Sequence, residues 1–208
     1  MAAPADMGDL FAIDVVDIRG VPTKVFRNAP PSLPAVWDLS AAFASNDYLV
    51  YGDDRITFED CHRAVRSVAA WLRDENVRPG DRVAIATRNR PEWVVAFWAV
   101  QAIGAVAVPL NAWWTGPELE YGLVDSGTKV AFVDPERMER VAEHLVNCPA
   151  LEHIFVSRYS EDLPSPIVRR LEDVIGKVNE WGKLPAGTMP NVPLGPEDDA
   201  TILIARAD

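Results

Sequence analysis

Four short apolar segments recur through the middle of the sequence at an almost constant interval. They contain Val83, Val106, Val130 and Ile154, which are 23, 24 and 24 residues apart. A stretch with helical character follows each of the first three, and this interval is typical of successive β-α units. Such connections join parallel strands in a right-handed sense. The sequence therefore predicts an α/β fold: a parallel sheet, with strands near 83–86, 106–108, 130–133 and 153–156, and helices on both faces.

Helix boundary signals agree with this spacing. We expect helices from Pro91 to Ile103, from Pro117 to Val124 and from about 136 to 146. Asn89 precedes the first, Thr115 is followed by Glu118 at the spacing of a capping box, and Gly127 follows the second as a C-cap.

A hairpin and a long helix are expected upstream. The β-forming segments 48–51 and 55–58 flank the turn residues Gly52-Asp53-Asp54. Thr57 is the expected N-cap of the helix that follows. Apolar residues then recur at steps of three and four on one helix face: Cys61, Ala64, Val65, Val68 and Leu72.

The domain organisation follows from changes in composition and hydrophobic periodicity along the chain. Residues 1–36 are expected to be an irregular lead-in, with one short helix near 33–37, and residues 37–208 to be part of one α/β domain. Within that domain the core β-α units occupy 82–156, and a proline-rich connection occupies 157–197 around an amphipathic stretch from Ile167 to Trp181. Residues 198–208 begin another core strand, through Ile204, and we expect this strand to be truncated.

Composition limits the functional class. The formal net charge is −11, which disfavours binding to nucleic acid or anionic lipid. Two cysteines, Cys61 and Cys148, do not form a disulfide framework and favour a reducing, cytoplasmic setting. Early aspartates, among them Asp6 and Asp9, exclude a secretory signal. The apolar run from Trp93 to Leu110 is interpreted as a buried helix, a turn at Gly104 and a buried strand, so no transmembrane segment is expected.

No residue pattern in the sequence makes a convincing catalytic, cofactor-binding or metal site. Gly122 to Lys129 approaches the spacing of a phosphate-binding loop, but Thr128 and Lys129 stand in reversed order and a helix precedes the glycines instead of a strand. The other candidates have simpler structural explanations. His62, His144 and His153 lie in separate elements. Cys61 is interpreted as a core residue and the adjacent His62 as a surface residue, because neighbouring helix residues point in different directions. Asp53-Asp54 is interpreted as a turn, Asp198-Asp199 as a strand entry and Trp113-Trp114 as packing residues.

The order of several motifs resembles the opening of the adenylate-forming (AMP-binding) enzymes, which include acyl- and aryl-CoA synthetases. These motifs are 55–58, Val77 to Ile85, Asn89 to Trp93, Gly104 to Asn111 and Glu118 to Gly127. The resemblance extends more loosely to Val156 and returns at 196–203. Pro109-Leu110-Asn111 followed by Glu118-Leu119 is similar to the acyl-CoA synthetase, or fatty-acid–CoA ligase, branch.

The resemblance implies a two-step reaction that needs ATP, Mg²⁺ and CoA. A carboxylic acid, such as a fatty acid, is converted to an acyl-adenylate with release of pyrophosphate, and CoA then displaces AMP. The phosphate loop, the metal-binding Glu and the catalytic Lys of the family would lie beyond residue 208. No catalytic, cofactor-binding or metal residue is therefore assigned in this chain, and it is expected to bind no cofactor by itself.

Three functions are compatible with these observations. The first is the N-terminal portion of an acyl-CoA synthetase, inactive alone. The second is a non-catalytic truncated paralogue that acts as a dimerisation or interaction module, because an uncovered strand such as 202–204 favours self-association. The third, an intact Rossmann-like domain, is disfavoured because no glycine fingerprint follows any strand.

Overall fold

A computed structural model describes residues 11–205 of the chain. The expectations that fall on residues 1–10, including Asp6 and Asp9, and on residues 206–208 lie outside the described residues. The strands are β1 (Ile13–Ile18), β2 (Val21–Phe26), β3 (Asp47–Tyr51), β4 (Asp54–Thr57), β5 (Arg82–Ala86), β6 (Val106–Pro109), β7 (Val130–Val133), β8 (His153–Val156) and β9 (Val168–Arg170). The helices are α1 (Leu33–Leu39), α2 (Phe58–Asp74), α3 (Pro91–Ala102), α4 (Gly116–Asp125), α5 (Pro135–Ala142) and α6 (Glu172–Ile175), with short 3-10 turns at Ser40–Phe43, Leu145–Asn147 and Val178–Lys183.

The central sheet has five parallel strands in the order β6-β5-β7-β8-β9. The register places Val83 of β5 beside Ala107 on one side and Val130 on the other. The four strands expected from their even spacing are present and parallel, so this prediction is confirmed. The antiparallel hairpin β3-β4 is also present as expected.

Alternate residues of each strand face two separate cores. Val83 and Ile85 of β5 belong to the first core, whereas Ala84 and Ala86 belong to the second. Helices α2 and α3 cover the first core, and α4 and α5 cover the second. Helices therefore lie on both faces of the sheet, as predicted, and this explains why the strands are almost continuously apolar.

Most helix boundaries follow the sequence signals. The side chain of Thr57 accepts a hydrogen bond from the Asp60 amide at 3.1 Å, and Glu118 accepts from the Thr115 amide at 2.8 Å. Gly127 adopts φ +61° after α4, as a C-cap requires. Asn89 is not the cap of α3: the N-cap is Arg90, without a side-chain cap bond, and Pro91 begins the helix.

The N-terminal lead-in is not irregular. Residues 13–26 form the antiparallel hairpin β1-β2, so the expectation for this part of 1–36 is wrong, while the short helix near 33–37 is confirmed as α1. The turn is made by Arg19 and Gly20, both with positive φ, and this Arg-Gly pair is not one of the common hairpin turn signals.

The C-terminal segment departs from expectation in two ways. A fifth strand, β9, pairs with β8 inside the proline-rich connection. The strand expected over 198–204 is reduced to one parallel bridge between Thr201 and Ala107, because only the backbone at 200–202 reaches the edge of β6. Ile202 and Ile204 pack against the second core, and Leu203 is 80% exposed.

The apolar run from Trp93 to Leu110 is divided between α3 and β6, as interpreted from the sequence. Within residues 11–205, none of the helices has both the length and the apolar character needed to cross a membrane. The boundary at residue 37 and the extent of the domain beyond the central units stay predictions.

Candidate functional site

The carboxyl ends of β5, β6 and β7 meet at one edge of the sheet. Because β6 and β7 lie on opposite sides of β5, the loops that leave β5 and its neighbours diverge there. Open α/β sheets bind ligands in the crevice that such a divergence creates. Functional side chains are therefore expected on the loops at the carboxyl end of the sheet.

A buried ion pair joins the three loops. Asp134 follows β7 and Arg137 lies in the first turn of α5, and both side chains are fully buried. The Arg137 Nη1 atom lies 2.9 Å from Oδ1 of Asp134, and its Nε donates to the Ala112 carbonyl after β6 at 2.6 Å. Asp134 Oδ2 also accepts from the Arg88 amide after β5 at 3.0 Å. We call Arg88, Ala112, Asp134 and Arg137 the edge network.

The side chain of Arg88 and the neighbouring Trp113 ring are exposed beside the buried ion pair. The guanidinium of Arg88 lies 4.9 Å from the centre of the Trp113 ring and pairs with Glu136 at 2.9 Å. Trp113 itself is 72% exposed. Arg88 and Trp113 can contact a planar or anionic molecule, but neither is a general acid or base near neutral pH.

The edge network holds the three loops together. Asp134 and Arg137 bond to each other and to backbone groups, Arg137 also contacts the Glu136 carboxylate at 3.1 Å, and both side chains are closed to solvent. The sequence analysis missed both residues. The local signal was Asp134 before Pro135, an N-cap followed by proline at the first helical position.

The glycine-containing segment Gly122 to Lys129 has the structural role expected from its order. Gly122 lies inside α4, and Gly127 donates its amide to the Val124 carbonyl at 3.0 Å as the helix ends. The ring of Trp114 packs so closely that a Cβ on Gly122 would lie 2.9 Å from it. This segment is a helix end and a packing surface, with a helix entering and β7 leaving.

His62 is a neutral core histidine, so the expectation that it lies at the surface is wrong. Its ring stacks on Trp37 with centroids 4.0 Å apart, and Ser40 Oγ lies 2.9 Å from its Nε2. Because Ser40 donates its hydroxyl to the Trp37 carbonyl at 2.6 Å, it accepts from Nε2–H, which leaves Nδ1 of His62 without a proton. Burial, with the nearby positive charge of Arg66, lowers the pKa of His62 to about 4.

The adjacent thiol is not activated. Cys61 is fully buried, and burial first, with the charge of Asp60 second, raises its pKa far above the usual range. Cys61 is therefore a packing residue of the first core, as expected from the sequence.

The other two histidines hold secondary structure elements together. His144 Nδ1 contacts Glu120 Oε2 at 2.5 Å, linking the end of α5 to α4. Hydrogen bonds from Asn147 and His144 lower the pKa of Glu120. His153 lies 3.4 Å from Glu75 at the start of β8.

The acidic pairs are surface residues with local roles. Asp54 begins β4 and reaches Arg158 at 3.5 Å. Asp198 caps the Gly195 amide at 2.7 Å, and Asp199 pairs with Arg19 at 3.3 Å. Over residues 11–205, His, Cys, Asp and Glu side chains form no cluster of three or more that could hold a metal ion.

The sequence profile of a family described as AMP-binding enzyme matches residues 37–203. The chain belongs to this family. The match includes the whole five-stranded sheet and its edge network, and it leaves out the hairpin β1-β2.

Several acyl-CoA ligases are similar to this member of the AMP-binding enzymes. A feruloyl-CoA synthase from Amycolatopsis sp is 38% identical over 118 residues, which are 55% of this chain and 24% of the relative. A medium/long-chain-fatty-acid–CoA ligase from Mycobacterium tuberculosis is 32% identical over 131 residues, 62% of this chain and 22% of the relative. The chain thus spans about a quarter of the length of these relatives.

A solved structure shows the same fold. An anthranilate CoA ligase in complex with anthranoyl-AMP superposes with a TM-score of 0.70 at 24% identity, over 83% of this chain and 32% of that protein. The AMP-binding family and its fold, expected from the order of the sequence motifs, are confirmed.

Proposed function

We propose that the chain is the N-terminal portion of an AMP-forming acyl-CoA ligase and that it is inactive alone. In the full-length enzyme, a fatty or other carboxylic acid would react with ATP to give an acyl-adenylate, and CoA would then displace AMP. The family match over residues 37–203 and the similarity to CoA ligases support the reaction class.

One observation supports inactivity of the chain by itself. The charged pair at the carboxyl edge, Asp134 and Arg137, is fully buried and bonded to loop backbone. The exposed groups beside it, Arg88 and Trp113, cannot by themselves stabilise the charge of a triphosphate undergoing substitution. ATP, Mg²⁺ and CoA are therefore proposed as ligands of the full-length enzyme and not of this chain.

The first test is ATP–pyrophosphate exchange by the purified chain, with saturated fatty acids, ferulate and anthranilate as substrates. We expect exchange equal to that of a boiled control. Exchange above this control with any acid would contradict the proposed inactivity.

A chimera tests the ligase assignment. Residues 37–203 would replace the corresponding segment of the Amycolatopsis feruloyl-CoA synthase, which supplies the remainder of a ligase. We expect the chimera to retain measurable exchange with ferulate, because the segment restores the sheet and the edge network. A control chimera carrying Arg137→Ala should lose it. A folded chimera without exchange would count against the assignment.

The two cysteines support a reducing, cytoplasmic location, which is part of the proposal. Cys61 and Cys148 are free and buried. Burial raises the pKa of both thiols, so neither has the thiolate character that redox sensing needs.

A second candidate function is self-association, and exposed apolar side chains favour it. Leu203 is 80% exposed and Val146 is 86% exposed, although the neighbours of Leu203 pack on the second core. Sedimentation velocity at low micromolar concentration tests this candidate. We expect a dimer that Leu203→Ser weakens, and a monomer at all concentrations would remove the candidate.

A further inference from the structure

A groove of about 380 Å³ lies between β3 and the start of α3. Residues 48–51 form one wall, and the loop after β5 with the first turn of α3 forms the other. The groove is therefore at the carboxyl end of β5, and open α/β sheets bind ligands at this end of their strands. Its volume lies within the range typical of small-molecule sites.

Most of the groove wall is apolar. Three aromatic residues line it, Tyr48, Tyr51 and Trp93, and Val50 is among the aliphatic ones. Val50 is 62% exposed and Tyr51 is 39% exposed, whereas Tyr48 and Trp93 pack against the first core. A flat apolar molecule in the groove would remove the exposed side chains from water and can stack on the rings.

The groove carries one positive charge. Among residues 11–205, Arg90 is the only charged side chain in its lining. The Nε of Arg90 is buried without a hydrogen-bond partner, and none of the carboxylates in the described part of the chain forms an ion pair with it. Arg90 as a whole is only half-buried, so its terminal nitrogens can be reached from the groove. A charge partly withdrawn from water is unfavourable without a counter-ion, and an anion on the terminal nitrogens would offset this cost.

The neighbouring arginine, Arg158, differs because its charge is already compensated. Its Nε donates to Glu92 Oε1 at 2.7 Å, and Asp54 Oδ2 lies 3.5 Å from its Nη2. Glu92 follows Pro91 in the chain, but its carboxylate is directed to Arg158 and does not line the groove. The lining is therefore left with a net charge of one positive unit, which favours a ligand with a single negative charge.

The neutral polar groups of the groove can donate to the same anion. The Tyr48 hydroxyl oxygen accepts from Trp98 Nε1 at 3.2 Å, so its O–H proton remains to be donated. Asn89 is exposed, and its side-chain amide carries two donors. A carboxylate accepts several such hydrogen bonds, whereas an ammonium accepts none.

We propose that this groove binds a small aromatic monocarboxylate, with its carboxylate on the Arg90 guanidinium and its ring against Tyr51 and Trp93. The single arginine selects one negative charge, and the aromatic wall selects a flat apolar body. The proposal concerns residues of this chain alone and does not depend on the proposed ligase reaction.

Calorimetric titration of the 208-residue chain with four probes tests the proposal. Indole-3-acetate carries the ring and the charge, indole-3-acetamide carries the ring alone, acetate carries the charge alone, and octanoate carries the charge on an alkyl chain. We expect saturable binding of indole-3-acetate, about tenfold weaker binding of the amide, weaker binding of octanoate and none of acetate. The net charge of −11 disfavours non-specific binding of all three anions.

Two results would overturn the proposal: no binding of indole-3-acetate at millimolar concentrations, or equal binding of indole-3-acetate and its amide. Equal binding of octanoate and indole-3-acetate would overturn the choice of an aromatic ligand.

Matched variants locate the site. Arg90→Gln removes the charge, so indole-3-acetate should bind about tenfold more weakly or worse. Arg90→Lys keeps the charge and should bind more tightly than Arg90→Gln. Arg73→Gln removes the same charge from an exposed position on α2 and should bind as the parent chain does. Equal affinity of Arg90→Gln and the parent chain would reject the site.

A variant of the apolar wall replaces Arg90→Gln if that variant does not fold. Tyr51→Leu removes a partly exposed ring and should weaken binding of indole-3-acetate about fivefold. An unchanged affinity of Tyr51→Leu would equally reject the site.

A spectroscopic readout separates binding from a structural effect. The NMR signals of the Arg90 Nε–H and the Trp93 indole N–H should both shift during titration with indole-3-acetate, because both side chains line the groove. Saturable binding that leaves both signals unchanged would place the ligand elsewhere and reject the site.

Discussion

The hairpin β1-β2 and the central sheet are both rich in alternating β-branched residues, yet they differ in burial. Ile85 and Ile154 in the central sheet are fully buried. In the hairpin, Val15 is 64% exposed and Phe26 is 56% exposed. None of residues 11–26 belongs to either core.

The difference shows that covering layers, not strand sequence, decide where stability resides. Each face of the central sheet is covered by a pair of helices, whereas the hairpin meets the remainder of the chain through exposed contacts of Arg19 with Glu197 and Asp199. An isolated two-stranded hairpin is only marginally stable in water. Equivalent changes in the two regions should therefore have very different effects.

The largest expected effect comes from the buried ion pair. Arg137→Ala leaves Asp134 buried without its partner and should destabilise the fold by about 3–5 kcal/mol. The measurement is equilibrium urea unfolding followed by tryptophan fluorescence. Arg27→Ala removes an arginine from the exposed pair with Asp14 in the hairpin and should leave the midpoint unchanged. Equal shifts of the urea midpoint for the two variants would contradict the difference in stability between the central sheet and the hairpin.

A core truncation should rank next. Ile154→Ala in β8 deletes fully buried atoms and should cost about 2–5 kcal/mol, including the cavity that remains. Val15→Ala in β1 removes side-chain atoms that are already mostly in water, and its unfolding midpoint should match the parent chain. A loss for Val15→Ala close to that for Ile154→Ala would show that the hairpin is covered in solution.

Acid sensitivity should follow His62 in the first core. Its pKa is about 4 in the folded chain and about 6.5 when unfolded, so the unfolded chain binds the extra proton between these values. Stability should therefore fall as pH decreases from about 6.5 to about 4, by on the order of 3 kcal/mol.

The variant His62→Phe isolates this contribution. It keeps an aromatic ring beside Trp37 and cannot titrate. The unfolding free energy of the parent chain minus that of His62→Phe, measured from pH 7 to pH 4.5, should decrease as the pH falls, because only the parent chain loses stability through this histidine. A constant difference would mean that His62 is not protonated on unfolding.

The smallest global effect is expected at the hairpin turn. Gly20 adopts φ +83° with no atom near the position of a Cβ, so Gly20→Ala should add about 1 kcal/mol of backbone strain. Hydrogen exchange in β1 and β2 should accelerate while the global midpoint stays constant, because the hairpin opens locally. Gly127→Ala, with a similar φ of +61° beside β7, should lower the global midpoint instead.

The central units could be read from the sequence because their signals are local. Each apolar strand segment, the N-caps at Thr57 and Thr115 and the C-cap at Gly127 can be recognised from a few neighbouring residues, and the strand spacing follows from the positions of the segments. The hairpin β1-β2 was missed because its turn is Arg19-Gly20 and its strands are not buried. The strand β9 was missed because three residues, Val168–Arg170, are too few to show alternation.

The candidate sites could not be read, because their contacts join distant segments. Arg137 bonds to the Ala112 carbonyl, 25 positions away, and Arg158 bonds to Glu92, 66 positions away. No sequence pattern marks an arginine whose partner is a backbone carbonyl on another loop. What the sequence did predict was that Gly127 ends a helix within Gly122 to Lys129, since helix and strand order are local features.

The strand order also determines when each strand of the central sheet can pair during synthesis on the ribosome. β5 lies inside the sheet but is the first of its strands to be made. Val106 of β6 and Val130 of β7, which flank it, follow Arg82 and Val83 by 24 and 47 residues. After β6 has emerged, one edge of β5 stays open until β7 is made, an interval on the order of a few seconds at typical translation rates. During that interval an open apolar edge can recruit a chaperone or a neighbouring nascent chain.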